Sequence, residues 1–241
     1  MPTKIFPGFS RGALTFLRQL KRNNEREWFV ARKDEFETRL LTPMRLFVEE
    51  MDVRLATFGA EISGSPKTSI FRIYRDVRFS KDKSPYKTHM GCWFTHQRAG
   101  RGVGSETHGA GAGFYFHLEP GASMVAGGIW MPPRPSLLRI REGIAARHAE
   151  LRRLKNAKAF RDRFDALSDE GKLTRVPRGF NPDHPAADDL RRVSFTTSAS
   201  LTDDDVLSPK LPAIVERDFR RLFPLVRWIN NSLGYPPSEH R

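Results

Sequence analysis

Apolar residues recur at helical spacing up to Pro66, alternate in twos between Ile70 and Trp130, and return to helical spacing after Pro135. A period of three to four marks one buried face of a helix, and a period of two marks a half-buried strand. Two such switches segregate helices from strands along the chain. They predict an α+β fold with a mostly antiparallel sheet of four or more strands, rather than a doubly wound parallel sheet. The 241 residues form one domain, 1–241, helical over 1–60, a sheet over 69–131 and helical again over 135–235. No linker separates two cores, and eighteen phenylalanines supply enough apolar surface to exclude disorder as the overall state.

Local signals place the elements. Ser10 is an expected N-cap for a helix carrying Leu14, Leu17 and Leu20. Asn24 and Glu27 form a capping-box-like start for a second helix, with Trp28, Phe29, the Arg32 stem, Phe36 and Leu40 inward. Thr42-Pro43 restarts the chain, with Thr42 as N-cap, and Gly59 is the expected residue past that helix's end. Strands are expected over 70–75, 88–95, 113–119 and 122–130, the last two joined by a Pro120-Gly121 turn. Ser136, Asn156 and Ser208 are expected to cap the later helices, the last a pair, and a short helix is expected from Ala186.

The formal net charge is +13, and it is concentrated. Segments Lys67–Arg101 and Arg134–Arg163 carry +7 each, while the remainder carries −1. Such an excess suits an anion-binding surface; for the second segment the alternative is a solvated helix face. A single cysteine, Cys92, excludes an intramolecular disulfide and a cysteine-only metal site. With no signal-peptide core and no apolar run near the ~20 residues that span a bilayer, the expected location is cytoplasmic, without a membrane partner.

The densest chemistry lies between Arg72 and Lys87, where the chain leaves one strand and enters the next. Arg72, Arg75, Arg78, Lys81, Lys83 and Lys87 are candidate anion ligands there, opposed only by Asp76 and Asp82. Arginine offers a planar fork to phosphate or carboxylate, and lysine a mobile point charge. Those two aspartates could equally pair with the cations and only shape the loop.

Four stretches, RDVRFSKDKSPYKTH, FPGFSRGALTFLRQLKRNNEREWF, GFYFHLEPG…GGIWMPP and VPRGFNPDHPAADDL, together resemble an uncharacterised microbial family, domain of unknown function 2461. The resemblance runs from about Phe6 to Tyr235. It implies a single domain and assigns no activity and no catalytic residue.

Alternation indicates which residues meet. A two-residue turn pairs His117 with Met124 and Tyr115 with Ala126. Phe114, Phe116, Leu118 and Val125 then face the core, while Tyr115, His117 and Glu119 share the other face with Trp130. If Arg72 and Tyr74 point the same way, the pocket-lining set is Tyr74, Tyr86, Tyr115, His117 and Trp130, with His117 the candidate acid–base residue. A wet sheet face or a structurally satisfied histidine is the alternative. Asp183 could orient His184 as a base, or cap the helix after Pro185.

Gly100–Gly104 and Gly109–Gly113 lack the Lys-Ser/Thr and the following helix of a phosphate loop, so no cofactor is indicated. His89, His96, His108 and His117 have no metal-motif spacing, so no metal is assigned. Three functions compete. One is a pocket for a phosphorylated or carboxylated small molecule, with acid–base chemistry if it is an enzyme. Another is a non-specific nucleic-acid surface, using Arg78, Lys83, Arg139, Arg147 and Arg153 with Trp93, Tyr86 and Phe79 as stacking groups. The third is a scaffold without a small ligand.

Overall fold

A computed structural model describes residues 6–78, 80–99, 111–235 and 237–238. Phe79, His108 and most of the two glycine-rich segments lie outside these residues.

The amino-terminal half begins with α1 (Arg11–Arg22), α2 (Arg26–Val30), α3 (Lys33–Phe36), a π-helical turn (Glu37–Leu41) and α4 (Thr42–Ala56). Ser10 caps α1 through its Oγ, which accepts from the Ala13 amide. Thr42 is not an N-cap: the helical path runs through it from Lys33. Proline cannot donate, and its ring crowds the carbonyl four residues back; the wide π turn just before Pro43 accommodates it. Asn24 does not cap α2 either. Its side chain donates to the Tyr86 carbonyl at 2.9 Å and accepts from the Tyr86 amide at 3.0 Å, imitating a strand partner. Gly59 does not take the left-handed conformation expected past a helix end; a Cβ there would meet the Phe223 ring at 2.7 Å.

Five antiparallel strands follow in spatial order β1 (Ile62–Ser63), β2 (Met90–His96), β3 (Gly113–Leu118), β4 (Met124–Ile129) and β5 (Phe195–Ser200). The β3–β4 register pairs Tyr115 with Ala126 and His117 with Met124, as the turn length dictates. Gly121 takes the positive φ (74°) that the turn requires.

Two expectations about the sheet are corrected. Residues 70–75 are not a ladder strand: the backbone of this segment bridges to the sheet at Ile70–Cys92 and pairs with its own return at Tyr74–Tyr86. The sheet also extends beyond 69–131, because β5 comes from the region expected to be helical.

Later helices are α5 (Arg134–Asn156), α6 (Lys158–Arg161), α7 (Ala187–Leu190), α8 (Asp203–Leu207) and α9 (Leu211–Leu233). Ser136 lies inside α5, Asn156 ends α5 rather than capping α6, and the expected final pair is the single helix α9, with Pro224 inside it.

One sheet face carries the core. Phe94, Phe114, Phe116 and Val125 point toward α4 and α9, where Phe47 meets Phe116 and Phe219 stacks on Phe114, with ring centroids 4.6 and 4.5 Å apart. Asn230 of α9 fixes the start of β3 through both the amide and the carbonyl of Ala112. Buried ion pairs join the layers. Asp218, 1% exposed, receives two nitrogens of Arg163, and Glu61 receives two of Arg227. Arg192 ties α7 to the preceding loop through Asp169, Asp188, Asp189 and the Leu167 and Ser168 carbonyls.

Candidate functional site

With helices on one face, the other face of the sheet floors a groove of about 960 Å³. Its floor is small, at Ala126, Gly128, Thr196 and Ser198, because the outward positions of β4 and β5 carry little bulk. Its walls are aromatic: Phe71, Trp93, Tyr115 and Trp130. Phe71 meets Tyr115 edge-on, with ring centroids 5.9 Å apart. Lys87 also lines the groove, its ammonium 5.4 Å from the centre of the Phe71 ring.

Beyond Tyr115 the side chains of β3 and of the turn after it form a polar chain. The Tyr115 hydroxyl lies 2.9 Å from His117 Nδ1, and His117 Nε2 lies 3.1 Å from Glu119 Oε2. An ionised carboxylate only accepts, so Nε2 carries the imidazole proton and Nδ1 accepts from the phenol. The turn holds Glu119 in place: its amide donates to Ser123 Oγ, which donates back to the Glu119 carbonyl. The Gly121 amide anchors the same turn to Asp203 of α8. Lys21 Nζ stands 3.8 Å from the other carboxylate oxygen.

His89 completes the cluster, its ring 4.3 Å from that of His117. Gly91 pairs with His117 across β2 and β3, so continuing that register by two residues sets His89 opposite Glu119. Burial and the adjacent His117 hold the His89 pKa down at about 4, with Lys87 and Arg75 adding to the effect. Burial lowers that of Lys87 as well, helped by Arg72, and raises that of the Tyr115 phenol. At neutral pH the cluster therefore holds an unprotonated His89 and a protonated Tyr115 phenol.

Lys87, Tyr115 and Trp130 border the groove; His117 adjoins it, with its side chain 11% exposed. Arg72 lies near Lys87, and Arg75 near His89. Arg75 and Arg78 also have carboxylate partners within the loop, Asp82 and Asp76, and Lys83 donates to the Val77 carbonyl at 3.0 Å. The Arg78 pair holds Asp76 at about 2, and Ser84 with Arg75 lowers Asp82. Lys81 is exposed. Tyr74 and Tyr86 do not border the groove: both pack on Phe29 of α2, Tyr86 stacked at 4.2 Å. Strand alternation placed Arg72 and Tyr74 beside Tyr115, but no continuous ladder runs through 70–75, and Phe71 takes that position.

His184 is occupied structurally. Its Nδ1 accepts from the Ala186 amide and its Nε2 donates to the Ala145 carbonyl, so the histidine rather than Asp183 holds the approach to α7. The second basic segment is largely tied down. Arg141 holds the Leu190 and Arg192 carbonyls, Arg147 reaches Ser232, and Lys155, Lys158 and Arg163 pair with Asp189, Asp162 and Asp218.

Sequence reasoning set Glu119 on the face it shares with His117 but did not place His89 or Phe71 in the site. The signal was cross-strand register, hidden because sixteen residues (97–112) separate β2 from β3. No helix among the described residues is long and apolar enough to cross a membrane. No curated protein and no solved structure matches the chain. A family model described as a conserved hypothetical protein, DUF2461, matches residues 12–228, and the chain belongs to that family.

Proposed function

We propose that the protein binds a small molecule carrying a phosphate or carboxylate in the groove on the outer face of its sheet. The supporting observation is Lys87, a cation in an aromatic-walled groove with no ion pair to any carboxylate among the described residues. A partly desolvated ammonium without a counter-charge gains most from an anionic ligand, because the low dielectric strengthens the pair. Arg72 and Arg75 stand close enough to add to the same positive field. Phe71, Trp93, Tyr115 and Trp130 accept the flat or apolar part of such a molecule, while the few polar groups set its orientation.

Phenyl phosphate, benzoate and the neutral benzyl alcohol, titrated calorimetrically, test this reading. Binding of the two anions but not the alcohol, weakened by Lys87→Met, supports it. Equal binding of all three, or anion binding indifferent to Lys87→Met, overturns it.

A further inference from the structure

We propose that His89, His117 and Glu119, brought together across β2, β3 and the turn after β3, form a site for a divalent transition metal ion. One donor atom from each of the three side chains lies within 4.8 Å of the other two. The His117 Nε2 to Glu119 Oε2 separation is 3.1 Å. Zinc bonds of about 2.0–2.1 Å in tetrahedral geometry put neighbouring ligands about 3.4 Å apart. The ion thus takes the place of the proton that His117 and Glu119 share, with little movement of either. His89 then closes the third side from the neighbouring strand.

The surroundings are built like the outer shell of a metal ligand. A ligating histidine commonly bonds its second nitrogen to a fixed partner, which sets ring orientation. Tyr115 fills that role at His117 Nδ1, 2.9 Å away. On metal binding the imidazole proton moves to Nδ1 and is donated to the phenol oxygen, so the Tyr115 bond persists with its direction reversed. Glu119 is held by the Ser123 and Asp203 contacts of its turn, so two of the three ligands stand on fixed backbone.

Two imidazoles and one carboxylate suit zinc or ferrous iron better than magnesium or calcium, which prefer all-oxygen shells. Three protein ligands leave a fourth position open. His89 lines the groove, so that open position belongs to the groove side. Lys21, Lys87 and Arg75 surround the cluster and oppose a bare cation; an anionic fourth ligand relieves this opposition. The site does not depend on the anion-binding reading above, because its three donors belong to the protein itself.

The test uses the full chain, stripped with a chelator and titrated with zinc alone by calorimetry, then with cobalt(II) as a visible-absorption probe. One equivalent of zinc and a tetrahedral cobalt spectrum are expected. Glu119→Gln preserves size and the hydrogen bond to His117, and His89→Ala removes a partly exposed ring, so both should stay folded. Each should weaken zinc by more than the about 10–100-fold that outer-shell losses cost. Lys87→Met should keep the zinc stoichiometry while weakening phenyl phosphate, which separates failure of this site from failure of the groove. No stoichiometric zinc in the wild-type chain, or zinc affinity in Glu119→Gln and His89→Ala unchanged from wild type, overturns the proposal.

Discussion

The hydroxyl of Tyr115 lies 2.5 Å from the point where a Cβ on Gly91 would stand. The glycine on β2 therefore makes room for the phenol that β3 sends across it toward His117. Its Cε2 and Cζ are also within 3.0 Å of that point. Gly91→Ala must push the ring aside and break the Tyr115–His117 bond. Overpacking of this kind costs about 1–3 kcal/mol. Urea unfolding should show that loss, and the His117 ring resonances should shift. Unchanged His117 resonances in a folded Gly91→Ala protein contradict this account.

Lys87→Met keeps the length of the side chain and removes its charge. A charge-assisted bond contributes about 1.5–3 kcal/mol, so phenyl phosphate should bind about ten- to a hundredfold more weakly. Arg72→Ala, which removes a neighbouring rather than a lining cation, should weaken it less. Calorimetry on the two variants gives the order; the reverse order assigns the anion to the loop instead of the groove.

Nucleic acid is the competing partner that charge alone suggests. Much of the second basic segment is tied up in internal contacts, including Arg141, Lys155 and Arg163. Expected, therefore, is weak binding to duplex or single strands that falls steeply as salt rises and shows no sequence preference. Fluorescence anisotropy across a salt series measures it. Tight binding that survives high salt would replace the small-molecule reading.

Arg163→Ala leaves the Asp218 carboxylate buried with Arg221, 3.5 Å away, as its only counter-charge among the described residues. Breaking a buried pair from one side costs about 3–5 kcal/mol. The urea midpoint should fall accordingly, and a loss within ±0.5 kcal/mol would show that Arg221 or water replaces the pair.

Lys172, with Arg191 also contributing, holds Asp188 at about 2, below its ordinary 3.8. A carboxylate whose folded pKa is depressed stabilises the fold above its unfolded pKa and loses that contribution as protons bind. The contribution should be complete above about pH 4 and fade as pH falls through 2, reduced by the partial exposure of the pair. Melting temperatures of Asp188→Asn and the parent chain should converge over this interval. A constant gap down to pH 2 contradicts the assignment.

The β3–β4 hairpin was legible in full, because a two-residue turn fixes register and register fixes which side chains share a face. That argument alone placed Tyr115 and His117 together. It could not reach His89, since the β2–β3 register depends on a connection whose length constrains nothing. β5 was invisible for a different reason. In Phe195-Thr-Thr-Ser-Ala-Ser200 the inward residues are Phe195, Thr197 and Ala199, too polar and small to stand out as alternation. Arg72 and Tyr74 were assigned by alternation in a segment whose pairing is only two isolated bridges, and alternation has no force without a ladder.

The place of β5 in the sheet also sets a timetable. Strands β1 to β4 lie within residues 62–129, yet the groove floor needs Thr196 and Ser198 from a strand that follows a long excursion through α5, α6 and α7. Pairing β4 with β5 brings together residues about seventy positions apart, a slow closure in chain-entropy terms. A chain emerging from the ribosome therefore has the His89–His117–Glu119 cluster encoded and its strands available well before the groove beside it exists. On that schedule the three side chains of the polar cluster come early, while the binding surface and the Asp203 contact that anchors the cluster's turn come late.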